Sequence, residues 1–183
     1  MATLTGVANA ETLVCPVGGE RFEAPVAPIC GEITGQTMLL APIGCAPDPM
    51  PQCPQNFLPM YRAFNAEELP LLAEYMQSES YESLVDFSPF YLAYNIEKFL
   101  NGADAALPAW ILQRGLWHDP AQLSSEPGYL PALRFEYEAV LSDNAPEENT
   151  TVLTQLAFFH FLAGNEHSSQ RKSEGTFLHF WPW

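Results

Sequence analysis

Basic residues are scarce in this chain of 183 residues, which has 7 lysines and arginines against 22 acidic residues and a formal net charge of -15. It has only two lysines, Lys98 and Lys172. A charge of that sign repels phosphate backbones and anionic lipid head groups, and no cluster of basic residues offsets it. The composition therefore argues against binding to nucleic acid or to a membrane surface.

The sequence also lacks a long hydrophobic run and a leader-like start. Its most apolar stretch, residues 152–163, is about half the length of a membrane-spanning helix. No positively charged region precedes an apolar one near the beginning, because the first basic residue is Arg21. We therefore expect no export by a signal peptide and predict a cytoplasmic location.

Common catalytic motifs are missing as well. There is no G-x-S-x-G elbow, H-E-x-x-H metal pair, Walker loop or G-x-G-x-x-G fingerprint. Of the four histidines, His160 lies among phenylalanines and is interpreted as a core residue, while His118 next to Asp119 is interpreted as a helix end. We therefore assign no catalytic residue and do not favour an enzyme.

Two regions of different periodicity divide the chain. Residues 1–60 hold more than half of the 17 prolines and several short apolar runs, a pattern typical of strands joined by turns. From residue 65 onward the apolar residues recur at helical spacing. The fold class predicted is mainly α with a small β/turn-rich N-terminal segment (α+β), the helices forming a repeat-like helical-hairpin bundle. We place the domain boundary between residues 1–60 and 61–183.

Capping signals mark the predicted helices. Asn65 followed by Glu68 is typical of a capping box, and Ser88 before Pro89 is typical of an N-cap followed by proline at the first helical position. The stripe predicted to be buried on that second helix consists of Leu92, Ile96, Phe99 and Leu100. A later helix over residues 129–141 is predicted to leave Arg134, Glu136 and Glu138 in solvent.

Four cysteines, Cys15, Cys30, Cys45 and Cys53, lie in the N-terminal segment. A zinc ribbon uses two C-x-x-C turns, whereas here Cys15-Pro16-Val17 leads to Gly18 and Cys53-Pro54-Gln55 leads to Asn56. A four-thiolate site would have to recruit Cys30 and Cys45 from elsewhere. Free thiols are the favoured interpretation, with one structural zinc on the four cysteines and a disulfide as alternatives.

The run CPVGGERFE, a Pro/Gly-rich stretch, a second Cys-Pro turn and then acidic helices resemble an uncharacterised bacterial family. In that family a zinc-ribbon-like segment with CPxCG turns precedes helices similar to tetratricopeptide repeats. Cys15 and Cys53 match its ligand positions, and Gly18 and Asn56 stand at the other two. The resemblance implies a helical binding platform, without implying an activity or a particular partner.

The favoured hypothesis is a non-catalytic protein-binding or scaffold protein that docks a protein partner through aromatic and acidic surfaces. The tail over residues 176–183 carries four large aromatic side chains and either folds back or meets that partner. Because tryptophan and arginine anchor interfaces disproportionately, the candidate contact residues are Arg62, Trp110, Trp117, Phe180, Trp181 and Trp183. The rival hypothesis is a metal-binding protein or metal-dependent enzyme that uses the four cysteines. The sequence does not indicate an oligomeric state.

Overall fold

The computed structural model describes residues 10–25, 35–36, 42–43, 50–102, 107–143 and 153–161. These residues are mainly helical, with a small antiparallel sheet near the N-terminus, so the predicted α+β class is confirmed. The chain forms two compact units, Met1–Pro120 and Ala121–Trp183. The domain boundary predicted after residue 60 falls inside the first of them.

The described residues contain two short antiparallel strand pairs and one isolated bridge between Gln52 and Pro59. Strands β1 (Ala10–Val14) and β2 (Arg21–Pro25) form a hairpin in which Leu13 lies opposite Phe22. Strands β3 (Gly35–Gln36) and β4 (Pro42–Ile43) form the second pair. The turn of the first hairpin begins at Cys15, directly after β1, so this cysteine is fixed at the end of a paired strand.

The described part of the first unit has four helices, α1 (Glu68–Tyr75), α2 (Glu79–Glu82), α3 (Pro89–Asn101) and α4 (Leu107–His118). The predicted capping box precedes α1, because the Asn65 and Glu68 side chains each accept a hydrogen bond from the other residue's backbone N–H, at 2.9 and 2.8 Å. Helix α3 begins as predicted, with the Ser88 hydroxyl accepting from the Tyr91 N–H and Pro89 in the first turn.

The core of the first unit joins the N-terminal segment to the helices. Its buried cluster consists of Cys15, Cys53, Leu58, Leu72, Tyr81, Leu92 and Ile96. Leu92 and Ile96 confirm part of the predicted stripe on α3, but Phe99 is 47% exposed and stacks on the Tyr75 ring instead, with the ring centroids 4.3 Å apart. The buried face of α3 also includes Phe90, Ala93 and Tyr94, so it differs from the predicted stripe in which side chains it contains.

The second unit contains α5 (Gln122–Ser125), α6 (Tyr129–Asp143) and a helical stretch over residues 153–161. Among its described residues, the buried apolar ones are Tyr129, Leu133, Tyr137 and Phe159. The rings of Tyr137 and Phe159 meet edge to face, with their centroids 5.5 Å apart. Burial raises the pKa of Tyr137. Glu136 is buried, which contradicts its predicted solvent position, whereas Arg134 and Glu138 are exposed as predicted. No helix in the described ranges is long and apolar enough to cross a bilayer.

Candidate functional site

Two turns of the same hydrogen-bonding pattern carry Cys15 and Cys53. In the first, the Cys15 N–H donates to Glu20 O at 2.9 Å and the Gly19 N–H donates to Cys15 O at 3.1 Å. In the second, the Cys53 N–H donates to Leu58 O at 3.0 Å and the Phe57 N–H donates to Cys53 O at 2.9 Å. The spacing from each cysteine is identical in the two turns, so we call these residues, 15–20 and 53–58, the paired cysteine turns.

Left-handed backbone occurs at the same place in both of the paired cysteine turns. Gly19 has φ +73° and Phe57, four residues after its own cysteine, has φ +60°. Glycine adopts this conformation without steric cost, and a residue with a Cβ rarely does. Phe57 is the sole non-glycine residue with positive φ in the described ranges, which indicates that its turn is held by contacts made around it.

Side chains link the two turns to each other. The Asn56 amide Nδ2 donates to Val17 O at 2.9 Å, and the Gln55 N–H donates to Glu20 Oε1 at 3.3 Å. The Tyr81 hydroxyl, from α2, donates to Asn56 O at 2.8 Å. The paired cysteine turns are therefore hydrogen-bonded to each other and, through Tyr81, to helix α2.

A disulfide connects the cysteines of the two turns. Cys15 and Cys53 are bonded to each other, with their Cα atoms 5.7 Å apart, a usual separation for a disulfide. Both residues are fully buried, at 1% and 0% exposure. The expectation of free thiols is thus wrong for this pair, because the fold brings two cysteines 38 residues apart into direct contact. Cys30 and Cys45 lie outside the described residues.

The paired cysteine turns do not provide a four-ligand zinc site. The Cys15 and Cys53 sulfurs and a Glu20 carboxylate oxygen lie within 4.8 Å of one another. At the other two ribbon positions, Gly18 has no side chain, and the oxygen of Asn56 already accepts the Leu58 N–H at 3.1 Å. A Cβ at Gly18 would lie 2.6 Å from Glu20 Oε2. The described residues thus supply two sulfurs, bonded to each other, and one carboxylate, which is short of the usual tetrahedral set.

A polar cluster surrounds Glu97 on α3, and it was not predicted from the sequence. The buried Glu97 carboxylate accepts from the Tyr61 hydroxyl at 2.7 Å, from Arg62 Nε at 2.9 Å and from the Asn101 amide at 2.6 Å. Arg62 also forms two parallel hydrogen bonds to the Glu68 carboxylate, at 2.9 and 2.8 Å. The only indication in the sequence is an acidic residue directly after Ile96 on the apolar side of the helix.

The pKa values of this cluster follow from its contacts. Burial and the hydrogen bond to Glu97 raise the pKa of Tyr61. Hydrogen bonding from Arg62 lowers the pKa of Glu68, and the same pairing raises the pKa of Arg62. Arg62, a predicted partner contact, directs its guanidinium to acceptors within its own unit and lies over the Phe64 ring at 4.8 Å. Its predicted role in partner binding stays a prediction.

An aromatic pair lies on the surface of α4. Trp110 and Trp117 are two helical turns apart, and their rings meet edge to face with centroids 4.8 Å apart. Trp110 is 45% exposed, whereas Ile111, Leu112 and Leu116 fill the buried side of the helix. The structure therefore brings these two predicted contact residues together. The other candidates, Phe180, Trp181 and Trp183, lie outside the described residues.

Comparison of the chain with family models, with curated proteins and with solved structures finds no match. The resemblance to the ribbon-and-helices family therefore stays a prediction. What can be said about function has to come from the chain's own contacts, chiefly the paired cysteine turns, the Glu97 cluster and the tryptophan pair.

Proposed function

We propose that this chain is a non-catalytic protein-binding or scaffold protein, and that the Trp110–Trp117 pair on α4 is its main contact surface. The observation that carries the proposal is the exposure of Trp110, 45%, in a ring pair held at 4.8 Å on an ordered helix. Tryptophan contributes a large contact area with little conformational entropy to lose, which is why it dominates interface energetics.

The polar clusters of the first unit support the same proposal. The ionisable groups around Glu97 hydrogen-bond to each other, and the raised pKa of Tyr61 makes that hydroxyl a poor proton acceptor or donor near neutral pH. Arg62 and Glu68 use their polar atoms to join α1 to α3. These groups hold the helices in place, and the helices in turn present the aromatic surface.

The net charge defines the class of partner. At -15 the chain attracts a protein surface of positive charge over distances of about a Debye length, roughly 8 Å at physiological salt. Glu74, Glu79 and Glu82 are exposed on α1 and α2 and contribute to that field. We therefore propose a partner protein that offers an apolar pocket for tryptophan within a basic surface.

Affinity capture with matched variants tests the proposal. The full chain is compared with Trp110→Ala/Trp117→Ala and with the control Phe135→Ala, which removes a 54% exposed aromatic ring from α6. The proposal predicts a partner that is retained by the wild type and the control and reduced at least about tenfold by the tryptophan variant, since central anchors cost 2 kcal/mol or more. Equal retention by all three folded chains would contradict it.

A further inference from the structure

We propose that the Cys15–Cys53 disulfide takes the structural role that a bound metal has in a zinc ribbon. The paired cysteine turns share one backbone hydrogen-bonding pattern, each contributes one sulfur, and the two sulfurs are bonded directly to each other. This inference is independent of the tryptophan surface. It identifies the cystine as the covalent link between the N-terminal hairpin and the helices of the first unit.

The surroundings of the sulfurs suit a neutral cystine better than a charged centre. Cys15 and Cys53 belong to an apolar cluster with Leu58, Leu72 and Ile96, and Cys53 Sγ lies 3.9 Å from the Met60 thioether. Burying an ionised thiolate there would require compensating charge or hydrogen bonds. A disulfide carries no charge and needs neither.

The atoms that could complete a metal site are engaged in joining the turns. Asn56 accepts from Leu58 N–H with its oxygen and donates to Val17 O with its nitrogen. The Glu20 carboxylate accepts from the Gln55 N–H and fills the space beside Gly18 that a ligand side chain would need. A fourth ligand from these turns would therefore break a contact that now holds them together.

Formation of the cystine is a two-electron oxidation. The Cys15 and Cys53 thiols lose two protons and two electrons as the S–S bond forms, and a disulfide-containing oxidant accepts them and becomes two thiols. Such a bond persists in an oxidising compartment and is rare in a reducing one. The proposed Cys15–Cys53 disulfide would therefore form in an oxidising compartment. This differs from the cytoplasmic location predicted from the sequence.

Peptide mapping tests the bond directly. The full chain carrying Cys30→Ser and Cys45→Ser is made under oxidising conditions, alkylated without reduction and cleaved with trypsin. Cleavage after Arg21 and Arg62 leaves Cys15 in residues 1–21 and Cys53 in residues 22–62. The proposal predicts that the two peptides are recovered as one linked species that separates on reduction. Recovery as two alkylated peptides would overturn it.

Metal analysis of the same Cys30→Ser/Cys45→Ser chain provides the second measurement. The protein is purified with and without reductant, each time in buffer containing zinc, and is then dialysed before elemental analysis. We expect Cys15 and Cys53 to retain no zinc. The reduced chain carrying Cys30→Ser and Cys45→Ser should therefore hold far less than one zinc per chain. A stoichiometric zinc ion on that reduced variant, lost with Cys15→Ser, would overturn the proposal.

Discussion

At the scale of single residues, the buried Glu97 carboxylate joins three parts of the first unit. Its side chain is 4% exposed, and its partners come from the loop before α1, through Tyr61 and Arg62, and from the end of α3, through Asn101. A buried charge is tolerated only when it is paired and hydrogen-bonded. Arg62 supplies the opposite charge and also pairs with Glu68, so one guanidinium links α1 to α3.

Replacing Arg62 with methionine should destabilise the first unit by about 3 kcal/mol, because Glu97 then remains buried without its cation. The matched control is Arg134→Met, whose partner Glu138 lies 3.3 Å away with both side chains at least half exposed. An exposed pair of this kind contributes at most about 1 kcal/mol. Urea unfolding monitored by circular dichroism measures both variants, and equal losses would contradict this account.

The pairing of Glu68 with Arg62 predicts a dependence of stability on pH. Hydrogen bonding from Arg62 holds the pKa of Glu68 below its ordinary value of 4.5. A carboxylate with a lowered native pKa stabilises the fold fully above its ordinary pKa, and this contribution is lost as the pH falls through the native pKa. The stability difference between wild type and Glu68→Gln should therefore be largest near pH 7 and shrink below pH 4.5.

Urea midpoints of both chains at four pH values between about 3 and 7 would measure this difference across the ordinary range of carboxyl titration. The control is Glu74→Gln, an exposed position on the same helix. A difference for Glu68→Gln that stayed constant with pH would show that its carboxylate is not the stabilising species.

At the scale of elements, the first of the paired cysteine turns contains two glycines with different constraints. Both have positive φ, +102° at Gly18 and +73° at Gly19, but an added Cβ meets Glu20 only at Gly18. Gly19→Ala should cost about 1 kcal/mol, the usual penalty for an alanine in left-handed backbone. Gly18→Ala should cost more, because the Glu20 carboxylate must also move.

The double variant Gly18→Ala/Glu20→Ala separates these two effects. Removal of the Glu20 carboxylate frees the space beside the new methyl group, so the added cost of Gly18→Ala should be smaller in a Glu20→Ala background. Thermal unfolding of the four chains completes the cycle. Additive losses would contradict the close approach of Glu20 to this position.

The helices were the most predictable elements because their ends are encoded locally. Asn65 with Glu68, and Ser88 with Pro89, each form the caps that their residue types indicate. The burial of single side chains was less predictable. Phe99 stacks on Tyr75 at the surface, and Glu136 is buried. Which side chains of a helix are buried depends on the elements that pack against it.

The candidate sites depended on long-range pairing and were predicted only in part. Spacing indicated that Cys15 and Cys53 begin similar turns, but it could not indicate that the two sulfurs bond, because pairing depends on the fold. Glu97 gave no local indication of its three donors, two of which precede it by 36 and 35 residues. Trp110 and Trp117 were predictable as a pair because seven residues span two helical turns.

At the scale of the whole molecule, the cystine closes a long loop between the N-terminal hairpin and the helices. Cys15 and Cys53 are separated by 38 residues, and cross-linking a loop of that length disfavours the unfolded chain by about 4 kcal/mol. The hairpin otherwise meets the second cysteine turn through a few hydrogen bonds and the packing of Val17 and Phe22 on the apolar cluster. Stability of the first unit should therefore respond to reductant and not to a chelator.

The central claim is tested most directly by unfolding the full chain in urea with reductant alone and with chelator alone. Replacing Trp181 and Trp183 with phenylalanine leaves Trp110 and Trp117 on α4 as the tryptophan fluorophores, so the signal reports on the first unit. We predict that reductant lowers its unfolding free energy by about 4 kcal/mol, and that chelator leaves it unchanged. A loss caused by chelator, with no effect of reductant, would show that a metal ion and not the cystine holds the two turns together.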